Sequence, residues 1–159
     1  AAIINSKDES LETISSEEMH NMINTNFFGS FFVTKKSLIL LKKSSRGRVI
    51  FINSASSFVG SNREFGYVTS KAANVGVVKA LTLELAPWNI CVNAVVPASI
   101  DTEMNPFKGE ALQRKLNKIP LGRLGKPSEV AYLVSFLSSL KSAYITGQHI
   151  HINGGRFFS

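Results

Sequence analysis

An α/β fold built on a parallel sheet is what this sequence predicts, from two observations. Short β-rich runs lie at 48–53 and 90–96, the first with the apolar pattern of a strand covered on both faces, and a third run follows at 149–152. A segment of helical length precedes each run, so the order reads α-β-α-β-α-β, which calls for parallel pairing through right-handed crossovers.

Each element has its own signals. Residues 5–14 are polar and read as a loop, after which Ser15 or Ser16 caps a helix with Glu17 and Glu18 in its first turn. That helix runs over 17–43, with Gly29-Ser30 at its middle. Phe27, Phe28, Phe31, Phe32 and Val33 make it more apolar than a surface helix needs, so packing on two sides is expected. Residues 54–65 form a loop containing Ser, Gly and Asn. A second helix over 67–86 stops at Pro87, and the strand at 90–96 stops at Pro97. Residues 98–120 read as a mobile loop with a short helix near 111–117. Pro127 opens a last helix reaching 140, and Gly154-Gly155 closes the final strand.

Composition narrows the class. With 159 residues, 44% hydrophobic and 18% charged, the chain is long and apolar enough to bury a sizeable core in one domain. No apolar run reaches the length of a membrane span. Cys91 is the single cysteine, which excludes an intrachain disulfide and fits a reducing, cytoplasmic compartment; between Ile90 and Val92 it reads as a small buried hydrophobe. The net charge of +7 is scattered, and its densest group, Lys42, Lys43, Arg46 and Arg48, suits a helix C-terminus. A phosphate-bearing cofactor accounts for this bias better than nucleic acid does. His149 and His151 share one face of the last strand, but without a third ligand they argue against a metal site and for an ordinary strand near a subunit contact.

Chemistry concentrates at Ser54, Tyr67 and Lys71. Tyr67 and Lys71 are four apart, hence on one helix face, where an ammonium favours the phenolate and brings a pKa near 10 towards neutrality. Ser54, at the end of a strand, can hold a carbonyl in line with the phenol, although it reads equally as a turn cap. Both Ser54 and the segment after Pro97 follow strands, so they gather at the carboxyl edge of the sheet, where open α/β sheets bind ligands.

The ordered motifs spell a family. They are Asn26-Phe27-Phe28-Gly29, Ile52-Asn53-Ser54, Tyr67-x-x-x-Lys71, Asn93-Ala94-Val95-Val96-Pro97-x-x-Ile100-x-Thr102, Pro120-Leu121-Gly122-Arg123-x-Gly125-x-Pro127, Tyr144-Ile145-Thr146-Gly147-Gln148 and Asn153-Gly154-Gly155. The chain resembles the short-chain dehydrogenases/reductases, and within them looks most similar to 3-oxoacyl-acyl-carrier-protein reductases and glucose dehydrogenases. The resemblance implies a Rossmann-like, doubly wound parallel sheet and an NAD(P)-dependent oxidoreductase interconverting a carbonyl and a secondary alcohol. It implies that Tyr67 is the proton donor or acceptor, that Ser54 polarises the carbonyl, and that Lys71 lowers the phenol pKa and holds the nicotinamide ribose. Asn26 would anchor a water of the proton relay, although Asn24 lies near and a buried structural anchor is the competing reading. Pro97, Ala98, Ile100 and Thr102, with Tyr67 and Lys71, would meet NAD or NADP. Thr102 reads also as the start of the lid helix. The resemblance further implies a homodimer or tetramer through helices 17–43 and 67–86, with a lid over 98–118 closing on a small-molecule substrate.

Two departures stand out. Ala98 occupies the place of a Gly that lets the backbone approach the nicotinamide. No Gly-rich phosphate-binding turn of the G-x-x-x-G-x-G kind occurs, and Ala1-Ala2 looks like the tail of the family's Asn-Asn-Ala-Gly motif. The expectation is a single partial domain over 1–159, roughly the C-terminal two-thirds of a member, whose N-terminal strands and Gly-rich turn lie upstream. The strand at 49–53 should then show an unpaired edge. The alternative function is a catalytically inactive fragment that serves as an oligomerisation or scaffold module.

Overall fold

The structure, a computed structural model, describes residues 2–4, 9–62, 64–104 and 107–158; Ala1, residues 5–8 of the first loop and Pro106 of the lid lie outside the described residues. Strands β1 (Arg48–Ile52), β2 (Cys91–Pro97) and β3 (His149–Ile152) form one parallel sheet in the order β1-β2-β3. Its register sets Arg48 opposite Cys91 and Ala94 opposite His149. The central strand is buried along its length up to Pro97, with Asn93 its one polar side chain.

The segment predicted as one helix over 17–43 is helical throughout but not uniform. It comprises α1 (Ser16–Met22), a π-helical stretch (Ile23–Phe28) and α2 (Gly29–Lys43). Ser15 is the cap, and with Glu18 it closes a reciprocal capping box. The wider turn holds Asn26, buried among its neighbours. A further difference lies in the predicted loop 54–65, which contains the one-turn helix α3 (Ser56–Val59). Helix α4 (Phe65–Leu85) then begins two residues before Tyr67, and α5 (Gly109–Leu116) and α6 (Pro127–Ser138) follow.

One face of the sheet packs on α4. Val49, Phe51, Val92, Ala94 and Val96 join Val78 and Leu85 in the core cluster, with Leu38, Leu41, Val77 and Leu81 at its margin. Alternate residues of β2 point the other way. On that side Asn93 Nδ2 donates to the Ile145 carbonyl, Cys91 Sγ meets the Ala143 carbonyl, and α6 packs against β1 and β2. Because the strands step one way across the sheet while α4 and α6 lie on opposite faces, the two crossovers have opposite hands. The right-handed rule expected for both holds for compact βαβ units; here the second connection first detours through α5 before α6 begins.

The expected open edge is present: among the described residues, β1 pairs only with β2. Along that edge runs a groove between β1 and the helices, lined by Asn26, Ser30, Ile50, Ile52, Lys71 and Asn74. Cys91 is buried and unbridged, as its apolar neighbours indicated.

Candidate active site

Apart from Asn26, the candidate site residues lie at or just beyond the carboxyl ends of β1 and β2 and in the first two turns of α4. Ser54 follows β1, and its loop is tied across the sheet because Ala55 N donates to the Pro97 carbonyl at 2.9 Å. Ser54 Oγ accepts from Ser56 N at 3.3 Å and shares a hydrogen bond with Ser56 Oγ at 2.8 Å. It also lies close enough to the Tyr67 phenol to lower that group's pKa. Thus Ser54 and Tyr67, thirteen residues apart in sequence, come together in the fold.

Lys71 lies one turn beyond Tyr67 and is 5% exposed, with its Nζ donating to the Ile52 carbonyl at 3.0 Å and lying 5.8 Å from the centre of the Tyr67 ring. This bond joins α4 to the end of β1. Burial lowers the pKa of Lys71. Burial also raises the Tyr67 phenol above its ordinary value; the Ser54 hydroxyl opposes that rise and the Glu64 carboxylate adds to it. The sequence-based expectation that Lys71 makes the phenol more acidic is therefore not what the geometry produces. Its ammonium is turned to a backbone carbonyl, and desolvation of the phenol outweighs the remaining effects.

Asn26 reaches the same helix by a different route. Its amide nitrogen donates to Ser70 Oγ at 3.0 Å and to the Ile3 carbonyl at 2.8 Å, while its oxygen accepts from Ile3 N at 2.8 Å. Asn74 Nδ2 lies 3.4 Å from the Asn26 main-chain carbonyl. The side chain therefore pins residues 2–4 against α4 next to Lys71. Gly66 lets α1 approach the start of α4, since a Cβ there would lie 2.6 Å from Met22 Cε.

Pro97 ends β2, and Ala98 N donates to the Ile152 carbonyl at 3.1 Å. Asn89 is the one non-glycine with positive φ among the described residues, so Ala98 takes the glycine's place without backbone strain. Ile100 pairs with Gly125 through bonds from Asp101 N to the Gly125 carbonyl (2.8 Å) and from Gly125 N to the Ser99 carbonyl (3.0 Å). Thr102 stands apart from this group, exposed to solvent. Asn26 and Lys71 thus line one groove, Ser54 and Pro97 are joined through Ala55, and Ile100 lines a separate small cavity with Gly125.

Several neighbours escaped sequence reading. Ser56 was legible as the second hydroxyl of a Ser-x-Ser turn. Ser70 and Asn74 follow Lys71 at helical spacing but give no signal until Asn26 is placed. A nicotinamide nucleotide fits part of this site: the Lys71 ammonium has three protons and, among the described residues, donates to one acceptor. For the pyrophosphate end, these residues contain no Gly-rich turn.

Comparison with known proteins identifies the family. Residues 1–156 match the family model described as Enoyl-(Acyl carrier protein) reductase. The chain is 43% identical over 141 residues to the 3-oxoacyl-[acyl-carrier-protein] reductase FabG of Aquifex aeolicus, covering 88% of this chain and 57% of that protein. With FabG of Thermotoga maritima it shares 39% identity over 150 residues, covering 94% and 61% of the two chains. With the reductase MabA of Mycobacterium tuberculosis the identity is 36% over 151 residues, covering 94% and 61%. The chain therefore spans about six-tenths of the length of these relatives. On the family match and these identities, it belongs to the short-chain dehydrogenase/reductase family.

Proposed function

We propose that the protein carrying this chain is an NAD(P)-dependent oxidoreductase that interconverts a carbonyl and a secondary alcohol. The closeness of the Ser54 hydroxyl to the Tyr67 phenol, beside the buried Lys71, carries this reading. A carbonyl oxygen placed between the two hydroxyls accepts from both. Ser54, oriented by Ser56, polarises it, and Tyr67 passes its proton to that oxygen or takes it back in the reverse direction. The nicotinamide supplies or accepts the hydride when bound. Lys71 holds the ribose hydroxyls, and the turn from Pro97 through Ala98 to Ile100 flanks the nicotinamide; Thr102 joins it only if the lid moves. Asn26 has its side chain committed to Ile3 and Ser70, so a relay water would meet its main-chain carbonyl. Residues 98–118, with α5, form the lid.

The names of the relatives point to a 3-oxoacyl thioester as the substrate class. No described helix is long and apolar enough to cross a membrane, in keeping with a cytoplasmic enzyme. The test is reduction of a short 3-oxoacyl thioester by NADPH or NADH, using the full-length protein. Tyr67→Phe should abolish turnover and leave assembly intact; turnover that survives the change refutes the assignment.

A second reading, a scaffold acting through oligomerisation, is favoured by one observation. Phe32, Val33, Ile39 and Leu40 of α2 and Leu83 of α4 present an exposed apolar surface. We place the dimer or tetramer contact there in either reading, and sedimentation of Leu83→Glu tests it.

A further inference from the structure

We infer that Phe58 is a positioning residue for Ser54, held by the two imidazoles of β3; this rests on the reductase reading above. Helix α3 is a single turn, too short to be stable by itself, so its place depends on what it packs against. Its one aromatic side chain reaches the far strand. The Phe58 ring meets His149 edge-on at 5.4 Å and 69°, and His151 at 4.9 Å and 75°. Phe157 backs His151 from the other side at 4.7 Å.

Only four positions separate Phe58 from Ser54, and hydrogen bonds make that stretch stiff. Ser57 Oγ donates to the Ser54 carbonyl at 2.6 Å, and Phe58 N donates to the Ala55 carbonyl at 3.0 Å. The Ser54 loop is thereby spanned from β1 to β3, with the Ala55–Pro97 bond as its middle support. Where the ring sits decides where Ser56 sits, and Ser56 orients the Ser54 hydroxyl. The imidazoles are suited to this as neutral rings: His149 Nε2 and His151 Nδ1 are buried without a hydrogen-bond partner among the described residues. Lys79 is the cationic group near His149, and α3 has no titratable side chain to offset it.

The experiment measures kcat and KM for a 3-oxoacyl thioester in the full-length protein, comparing Phe58→Ala, Ser54→Ala and the double variant, with Tyr67→Phe as control. Phe58→Ala should lower kcat by about tenfold or more while KM changes little, because a misplaced hydroxyl harms the transition state first. In the Ser54→Ala background, Phe58→Ala should have no further effect on kcat. Phe58→Leu, which keeps apolar volume and loses the ring edges, guards against a folding defect and should show the same dependence on Ser54. Losses that multiply in the double variant, or a Phe58→Ala enzyme with wild-type kcat, overturn the inference while Tyr67→Phe is inactive. An active Tyr67→Phe enzyme instead overturns the reductase reading, and this inference with it.

Discussion

Two buried polar regions of this molecule are built on opposite terms. Around Asn26, Ser70 and Asn74, each at most 3% exposed, the side chains bond one another or the backbone, and the result joins three remote pieces of chain. Around β3 and the end of β1, the amide of Asn53 and one nitrogen of each imidazole are buried with no partner among the described residues. The first region gains from each bond it contains and loses heavily if one member is removed. The second is held by ring packing and is sensitive to charge. The difference teaches that burial of polar groups near this site serves two ends: fixing the helix that carries Tyr67 and Lys71, and keeping the Ser54 loop seated through aromatic contact.

The sharpest test separates chemistry from either kind of support. Tyr67→Phe removes the proposed proton donor, so kcat should fall by roughly a thousandfold with an unchanged circular-dichroism spectrum. An equal loss of helix content would mean that the phenol is structural. Next in size is Asn26→Leu, which leaves both backbone groups of Ile3 and the Ser70 hydroxyl without their partner. Urea unfolding should show a loss of about 2–4 kcal/mol, and a change within error would show that the satisfied network is not what holds α4 in place.

A smaller loss is expected at Gly154. Its φ is +62°, and a Cβ would stand 2.8 Å from Ile119 Cγ2. Gly154→Ala should cost about 1–3 kcal/mol in the same assay, and a neutral result would show that the turn after β3 shifts freely. The least effect is that of pH on the imidazoles. Burial lowers the pKa of His149, with Lys79 and His151 adding to the shift, and burial lowers that of His151. Folded values below the unfolded value of 6.5 mean that their stabilisation is complete above that pH and is lost as pH falls through the folded values. Melting temperature should therefore decline modestly below about pH 6.5, and replacing both residues by Gln should flatten that decline. A decline of the same size in the double variant would place its origin elsewhere.

Much of this is legible in the sequence alone. The alternation of runs determined a parallel α/β sheet, because strand and helix periods are local properties of sequence. Tyr67 and Lys71 were recognisable from their spacing and Ser54 from its place after a strand; Pro97 and Pro87 marked ends for the same kind of reason. Tertiary structure alone decided the rest. The π turn at Asn26 leaves no trace in a periodicity that a regular helix satisfies equally, and its partner Ile3 is 23 residues away. The face taken by α6, the turn of Lys71 towards Ile52, and the meeting of Phe58 with His149 and His151 also join segments distant in sequence. Local propensity is silent about such contacts, since they arise only when the sheet's edges and faces compete for the same side chains.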